Sequence, residues 1–415
     1  MKKGMIRSID LFAGCGGLMD GFEQSGHYNT LAAVEWEKAP CNNLKKRLKE
    51  KWNYENADQM VLCFDIQRTD ELFEGWNDDP RFGSSEGLDK LIDKGGQLDA
   101  IIGGPPCQAY SIAGRVRDEN GMRDDYRNYL FESYIKVLER YKPKVFVFEN
   151  VPGILSAKPG DRPIIDIINE SFANAGYYLL DDLKKAIIDF TEYGVPQNRK
   201  RIIIFGVNTE FFGERSKEVV EDFYTNLLPQ YKVKKKSTVL EAIGDLPKLY
   251  PLESDQKVDG IRTRHSVPEN NIPNHVARWQ SDRDLKVFKM LEEDIESGRN
   301  EYTSIDSLKK LYTDVTGKTS NVHKYHVLRW DEPSNLIPAH LYKDGLRHIH
   351  PDSKQQRTLT VREAARLQTF SDDYVFEGSN MDLYKMIGNA VPPLFAKSCA
   401  NAVYDTFVKY NALDE

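Results

Sequence analysis

Cys107 stands in the run Gly103-Gly104-Pro105-Pro106-Cys107-Gln108-Ala109-Tyr110-Ser111. The two prolines stiffen the backbone, and the apolar residues 98–102 ahead of them read as a strand. A thiol displayed at the carboxyl end of a strand sits where α/β sites lie and is a candidate nucleophile. By residue type alone a cysteine is more often a small buried hydrophobe; the loop reverses those odds. A second strand-like run, 144–148, leads into Glu149-Asn150-Val151-Pro152-Gly153. A carboxylate there can serve as general acid if burial raises its pKa. Gly194-Val195-Pro196-Gln197-Asn198-Arg199-Lys200-Arg201 presents three cations ahead of another strand. They can hold a phosphate or a planar polar base.

Asp10-Leu11-Phe12-Ala13-Gly14-Cys15-Gly16-Gly17 links a strand-like start to a helix-like run. Its glycines permit a tight turn and close backbone approach to a ligand. The second strand-like run ends in Glu35-Trp36, and an acid at that place can bind ribose hydroxyls. Asp65 ends the third and can read an adenine amino group. Strand, glycine turn, helix, strand and acid in this order indicate a cofactor containing adenosine. The spacing is not G-x-G-x-x-G, and these residues leave NAD and S-adenosylmethionine both open.

These loops meet only if the chain is wound around one sheet. Runs 6–13, 30–36, 60–66, 98–102, 144–148, 185–190 and 201–207 read as strands, and 17–24, 39–51, 129–141 and 164–175 as helices. The alternation predicts an α/β fold with a doubly wound, mostly parallel sheet and its functional loops at the carboxyl strand ends. Beyond Val207 the chain turns polar and irregular. Residues 207–356 carry 23 Lys and Arg against 24 Asp and Glu, and seven of the eight histidines. The Lys232-Val233-Lys234-Lys235-Lys236 cluster reads as a solvated junction. Helical pattern returns at 357–370 and an α/β character at 384–402, with no internal repeat.

The 415 residues, 40% hydrophobic and 29% charged, exclude a collagenous or wholly disordered chain and suggest two or three domains. No apolar run is long enough to cross a membrane, and Asp10 interrupts the N-terminal region where a signal peptide would need its apolar core. No membrane partner and a cytoplasmic location are therefore expected. The five cysteines are odd in number and form no C-x-x-C pair, which argues against a disulfide framework or a cysteine zinc site. His348-x-His350 and His323-x-x-His326 read as surface or partner-facing side chains, so no metal is expected. The net charge of −7 counts against a nucleic-acid partner only as a whole-chain sum, whereas binding is local.

Taken in order, these segments resemble the DNA (cytosine-5) methyltransferases of bacterial restriction–modification type. The glycine turn at 10–17, Glu35-Trp36, Asp65-Ile66, Gly104-Pro105-Pro106-Cys107-Gln108, Glu149-Asn150-Val151 and Gln197-x-Arg199-x-Arg201 are similar to successive family motifs. So are Arg357-Thr358-Leu359-Thr360-Val361-Arg362-Glu363-Ala364-Ala365-Arg366-Leu367-Gln368 and Gly388-Asn389-Ala390-Val391-Pro392-Pro393. The likeness spans 6–210 and 324–400. It implies a Rossmann-like methyltransferase fold that binds S-adenosyl-L-methionine and releases S-adenosyl-L-homocysteine. A smaller target-recognition domain would be inserted, with 1–210 and 380–415 forming the catalytic domain and 211–379 the recognition domain and hinge. It implies that the Cys107 thiolate attacks C6 of a flipped cytosine in duplex DNA, that Glu149 holds or protonates N3, and that Arg201, with Arg199, binds the O2 side. Phe12 would stack on adenine, with Gly14 and Gly16 making room for the amino-acid end. Glu35 would hold the ribose, Trp36 flank the adenine and Asp65 bond its amino group. Pro105, Leu130, Asn389 and Val391 would line or close the pocket. Ser111, Arg115 and Gln197 would touch DNA.

Tyr110, Ala113 and Ser371 depart from residues common in relatives, but no presumed catalytic residue is missing. A tRNA cytosine-5 methyltransferase shares the pocket; the 107–111 loop and the long insert favour DNA. Intact Cys107 and Glu149 argue against an inactive DNA-binding homologue, and a NAD-dependent dehydrogenase would leave Cys107 without a role. In the insert, Arg262, Arg264, His265, Asn270, Asn271, Asn274, His275, Arg278 and Trp279 suggest a DNA-contacting cluster. A monomer is expected, with a cognate restriction endonuclease as a functional partner at the same site.

Overall fold

Aliphatic runs in the N-terminal half form one eight-stranded sheet. The computed structural model describes residues 4–106, 130–158, 162–321, 324–343 and 345–413. Strands β1 (Ile6–Leu11), β2 (Tyr28–Glu35), β3 (Val61–Cys63), β6 (Ala100–Gly103) and β7 (Val145–Asn150) are parallel, in the order β3-β2-β1-β6-β7. β10 (Lys200–Asn208) runs antiparallel to β7, followed by β8 (Tyr177–Tyr178), while β9 (Ile187–Asp189) also pairs with β10. A hairpin of β4 (Trp76–Asp79) and β5 (Gly83–Ser85) stands apart. β1, β6 and β7 are buried along nearly their whole length, as expected of strands covered on both faces.

The expected parallel, doubly wound sheet is present, with an antiparallel edge. Strand order reverses at β1, so the crevice at its carboxyl end is the switch point where α/β ligands bind. Register aligns the site. Leu11 lies beside Gly103 and Val34, Glu35 beside Cys63, and Gly103 beside Phe148. Because β10 is antiparallel, its beginning rather than its end reaches this edge.

The chain divides into two compact units, Met1–Gly194 with Arg199–Lys234 and Ala390–Glu415, and Val195–Asn198 with Lys235–Asn389. The boundary expected after 210 falls later because Phe223 stacks on Phe205 of β10 at 4.1 Å and Asp222 pairs with Lys409 at 2.8 Å. The C-terminal helix Pro393–Lys409 packs on the helix Gly17–Ser25. A Cβ at Gly21 would lie 2.4 Å from Ala396 Cβ and from Pro393 O, so this close approach requires glycine. The helix Asn380–Asn389, expected in the catalytic domain, belongs to the second unit, where Tyr384 donates to Leu359 O at 2.8 Å. The lysine cluster spans the boundary between the units, with Lys232 paired to Glu192 and Lys235 to Glu241.

The second unit is more regular than its sequence suggests. β11 (Pro251–Val258) and β12 (Ile261–His265) form a hairpin turned by Asp259 and Gly260, both at positive φ. The helices Asp282–Glu296 and Ile305–Thr316 start at Ser281 and Ser304 caps and share a core with Phe288, Leu291, Leu308, Tyr325 and Ile349. The helix Val361–Leu367 opens on a Thr360–Glu363 capping box, and Arg357 grips Glu363 through two 2.6 Å bonds.

Candidate active site

The adenosine side begins where β1 ends. Phe12, Gly14 and Gly16 all have positive φ, so the turn folds back sharply before the helix Gly17–Ser25. Glu35 ties that turn to β2. Its Oε2 accepts the Gly14 N–H at 2.9 Å, and its Oε1 accepts from Trp36 and Glu37 at 2.9 and 2.8 Å. Burial pushes the Glu35 carboxyl up, partly offset by the Glu37 and Gly14 amides. Trp36 is 41% exposed at the strand end. Asp65 accepts the Gln67 N–H at 3.0 Å. Phe12, Gly14, Gly16, Glu35, Trp36 and Asp65 thus gather at the ends of β1, β2 and β3.

The pocket residues fit S-adenosylmethionine on two observations. A Cβ at Gly14 would meet nothing within 4 Å, so open space lies beside that backbone. Both Asp10 oxygens are buried without a well-formed hydrogen bond. Burial, then the Glu35 charge, push the Asp10 carboxyl well above its usual range, and the Met19 amide offsets this only in part. Pro105 and Leu130 are buried in the same unit. Asn389 ends the second unit and Val391 lies in the first, so the chain passes between units beside them.

The chemical side is built by β7 and β10. Ile203 pairs with Glu149, and two residues earlier Arg201 places its Nε 2.9 Å from Glu149 Oε1. Both side chains are about nine-tenths buried, with exposures of 12% and 11%. Burial holds the Arg201 guanidinium below its usual range, and the Glu149 charge opposes this. Gly104 lies close under that carboxylate: a Cβ there would sit 2.8 Å from Glu149 Oε2. Asn150 Nδ2 donates to Pro105 O at 3.4 Å, holding the Gly104-Pro105-Pro106 segment against β7. Cys107 follows Pro106 directly; Cys107, Ser111 and Arg115 lie outside the described residues.

Two expected residues are placed differently. Arg199 is 1% exposed and donates to Ala390 O at 3.1 Å, so it ties β10's entry to the C-terminal segment. Burial and then Arg201 lower its pKa strongly. Gln197, expected at DNA, is fully buried in the second unit. It donates to Leu367 O at 2.9 Å and to Gln368 Oε1, and accepts the Ile337 N–H at 3.2 Å. Its amide is used inside the protein.

The histidine reading also needs correction. His265, His275, His348 and His350 are buried, not surface or DNA-facing. Burial, the leading cause, holds all four below the usual histidine pKa, with His265 at about 4 and His348 and His350 at about 3. Arg278 caps Leu341 O and Tyr342 O, and Asn274 serves Phe376. Of the suggested cluster, Arg262, Asn270 and Trp279 remain exposed at the surface. The Arg262 guanidinium stacks 4.5 Å over Trp279, and Asp255 accepts from both. Arg81 is a residue missed in the sequence. It stacks 5.2 Å over Trp36 from the β4–β5 turn, a placement no local pattern announces.

A glycine turn under a β2 acid, next to a buried carboxylate–guanidinium pair on adjoining strand ends, defines a Rossmann-like S-adenosylmethionine-dependent methyltransferase. Residues 6–405 match the family model for C-5 cytosine-specific DNA methylase, and the chain belongs to that family. It is 36% identical to type II methyltransferase M.Bpa9945I of Bacillus paralicheniformis, covering 96% of this chain and 98% of that one. It is 31% identical to type II methyltransferase M.DdeI of Desulfomicrobium norvegicum, covering 98% and 90%. Its fold is similar to a putative DNA modification methyltransferase of an E. coli prophage, at TM-score 0.60 and 23% identity over 97% of this chain and 99% of that one. It is also similar to the Dnmt2 methyltransferase of S. pombe, at TM-score 0.54 and 16% identity over 98% and 99%. Among the described residues no helix is long and apolar enough to cross a membrane.

Proposed function

We propose that this chain methylates C5 of one cytosine within a specific duplex DNA sequence, protecting that sequence in a restriction–modification system. The observation that carries the reading is the Glu149–Arg201 pair at 2.9 Å, beside the Gly104-Pro105-Pro106 segment that leads to Cys107. C5 of cytosine is a poor nucleophile. Attack of the Cys107 thiolate on C6 forms an S–C6 bond and makes the ring an enamine whose C5 can take a methyl group. Negative charge would build on N3 and O2 during attack. Glu149 bonds or protonates N3, and Arg201 turns toward O2, so the pair stabilises the charge where it develops. Arg199, fixed on Ala390, adds positive potential behind Arg201.

When bound, S-adenosylmethionine would supply an electrophilic methyl group. Glu35 would hold its ribose, Trp36 and Phe12 would flank the adenine, Asp65 would take its amino group, and the Gly14–Gly16 turn would admit the amino-acid end. Loss of the C5 proton to a base then expels Cys107. The target must leave the stack to be reached, so the cytosine is flipped. Ser111 and Arg115 contact the DNA backbone, while on the second unit's surface Arg262 and Trp279 are placed to do so. The enzyme acts as a monomer in the bacterial cytoplasm, at the nucleoid. A cognate endonuclease acting on the same DNA site is its functional partner.

Bisulfite sequencing of plasmid from expressing cells should show one methylated motif. Cys107→Ser should abolish transfer of labelled methyl while cofactor binding persists. Undiminished turnover in that variant would refute the mechanism.

A further inference from the structure

Two thiols outside the catalytic loop meet beside the cofactor residues. Cys63 ends β3 opposite Glu35, and Cys41 lies in the first turn of the helix Lys38–Glu50. The Cys41 thiol donates to Glu35 O at 3.3 Å, and the Cys63 thiol approaches Trp36 O at 3.9 Å. Glu35 O also accepts the Phe64 N–H at 2.9 Å, so the Cys41 thiol lies beside the peptide that follows Cys63, and both thiols are free. Cys41 is fully buried in an apolar cluster, whereas Cys63 packs against that cluster's edge and stays partly exposed. Reactive cysteines are accessible and near positive charge, and their partners wait behind them. Cys63 has that setting. The neighbouring Cys41 thiol lowers its pKa, burial and the Glu35 charge oppose this, and Lys45 and Arg81 help.

We propose that Cys41 and Cys63 form an oxidisable pair, closing to a disulfide under a hydroperoxide and thereby weakening cofactor binding. The inference rests on the reading of Glu35, Trp36 and Asp65 as cofactor residues. In the first step the Cys63 thiolate attacks one peroxide oxygen. An S–O bond forms, the O–O bond breaks, and the leaving hydroxide takes a proton to become water. Cys41 then attacks the sulfenic sulfur. The S–S bond forms, the S–O bond breaks, and a second water departs with the Cys41 proton. The sulfurs lose two electrons to the peroxide, and a dithiol returns them by exchange. Closure to about 2.05 Å draws the start of the helix Lys38–Glu50 toward β3. It also removes both S–H donors from the carbonyls of Glu35 and Trp36, at the strand end that carries the ribose acid.

The test uses full-length protein carrying Cys107→Ser, so that the catalytic thiol does not contribute. After hydrogen peroxide, peptide mass spectrometry should find a Cys41–Cys63 cross-link. The dissociation constant for S-adenosylmethionine, followed by titration calorimetry, should rise about tenfold and return with dithiothreitol. Cys63→Ser in the same background should bind equally before and after peroxide. Cys63 oxidised only to sulfinic or sulfonic acid, with no cross-link, overturns the proposal. So does a cross-link that leaves affinity unchanged. If the reduced protein binds no S-adenosylmethionine, the cofactor reading itself has failed, and the cross-link still reports on the thiols separately.

Discussion

Removing Arg201 tests the core of the chemical reading. Its Nε lies 2.9 Å from Glu149 Oε1, and both side chains are nearly buried. At an effective dielectric of about 20, charges that close attract by about 6 kcal/mol, most of which repays their desolvation. The pair is therefore held ready rather than strongly stabilising. In turnover Arg201 turns its cation to the cytosine O2, where charge appears only during attack. Loss of one donor of that kind costs about 100- to 1,000-fold in rate, or about 2.7–4 kcal/mol. Arg201→Ala should lower single-turnover methyl transfer by that amount, with S-adenosylmethionine affinity unchanged. Glu149→Gln should lose a similar factor. Because the two act on one ring as a unit, the double variant should fall no more than about threefold below the worse single variant. The assay is transfer of tritiated methyl to a duplex carrying the site found by bisulfite sequencing. Turnover of Arg201→Ala within about threefold of wild type, or single effects that multiply, would refute the reasoning.

Other consequences follow from particular side chains. Glu292 is fully buried with neither oxygen bonded, and burial raises its carboxyl from 4.5 to about 9. Its folded pKa exceeds its unfolded one, so its contribution is fully present below pH 4.5 and lost as pH rises toward 9. Glu292→Gln should thus stabilise the protein at pH 7.5 by up to about 4 kcal/mol, at about 1.4 kcal/mol per pH unit, and flatten urea midpoints between pH 5 and 9; parallel pH slopes would refute this. Gly21→Ala should cost about 1–3 kcal/mol in urea melts, because its Cβ would strike the C-terminal helix backbone. Arg262→Ala should weaken DNA binding and reduce the salt dependence of binding by about one phosphate contact, with cofactor affinity intact; an unchanged salt slope would remove Arg262 from the DNA face.

Much of the site was legible because its pieces are local. A glycine turn, an acid closing a strand and a Gly-Pro-Pro loop each announce themselves within a few residues, and the sheet's parallel alternation then puts their loops on one edge. What escaped is set by long-range packing. Gln197, Arg199 and Arg201 form one polar run, yet Gln197 is buried in the second unit, Arg199 is fixed to Ala390, and Arg201 pairs with Glu149. That sorting depends on β10 entering antiparallel beside β7, which no spacing within 194–201 encodes. The insert shows the same limit with the opposite bias. Its histidines looked solvent-facing because the segment is polar, but burial favours the neutral form of His265, His275, His348 and His350, which bond main-chain groups, as His275 does with Pro247 O at 2.8 Å. A signal did exist there. Leu285, Phe288, Leu291 and Ile295 follow helical spacing after a Ser281 cap, and that stripe marks a core into which nearby polar groups are drawn. The net charge of −7 then has little bearing on DNA. Several of the cations counted in it are already held by acids, as Lys232 is by Glu192 and Arg262 by Asp255, and a phosphate can compete for such a surface cation only where the partner acid can turn away to water. Arg262 stacks on the exposed Trp279 and its partner Asp255 is partly exposed, so it meets that condition; the buried cations do not.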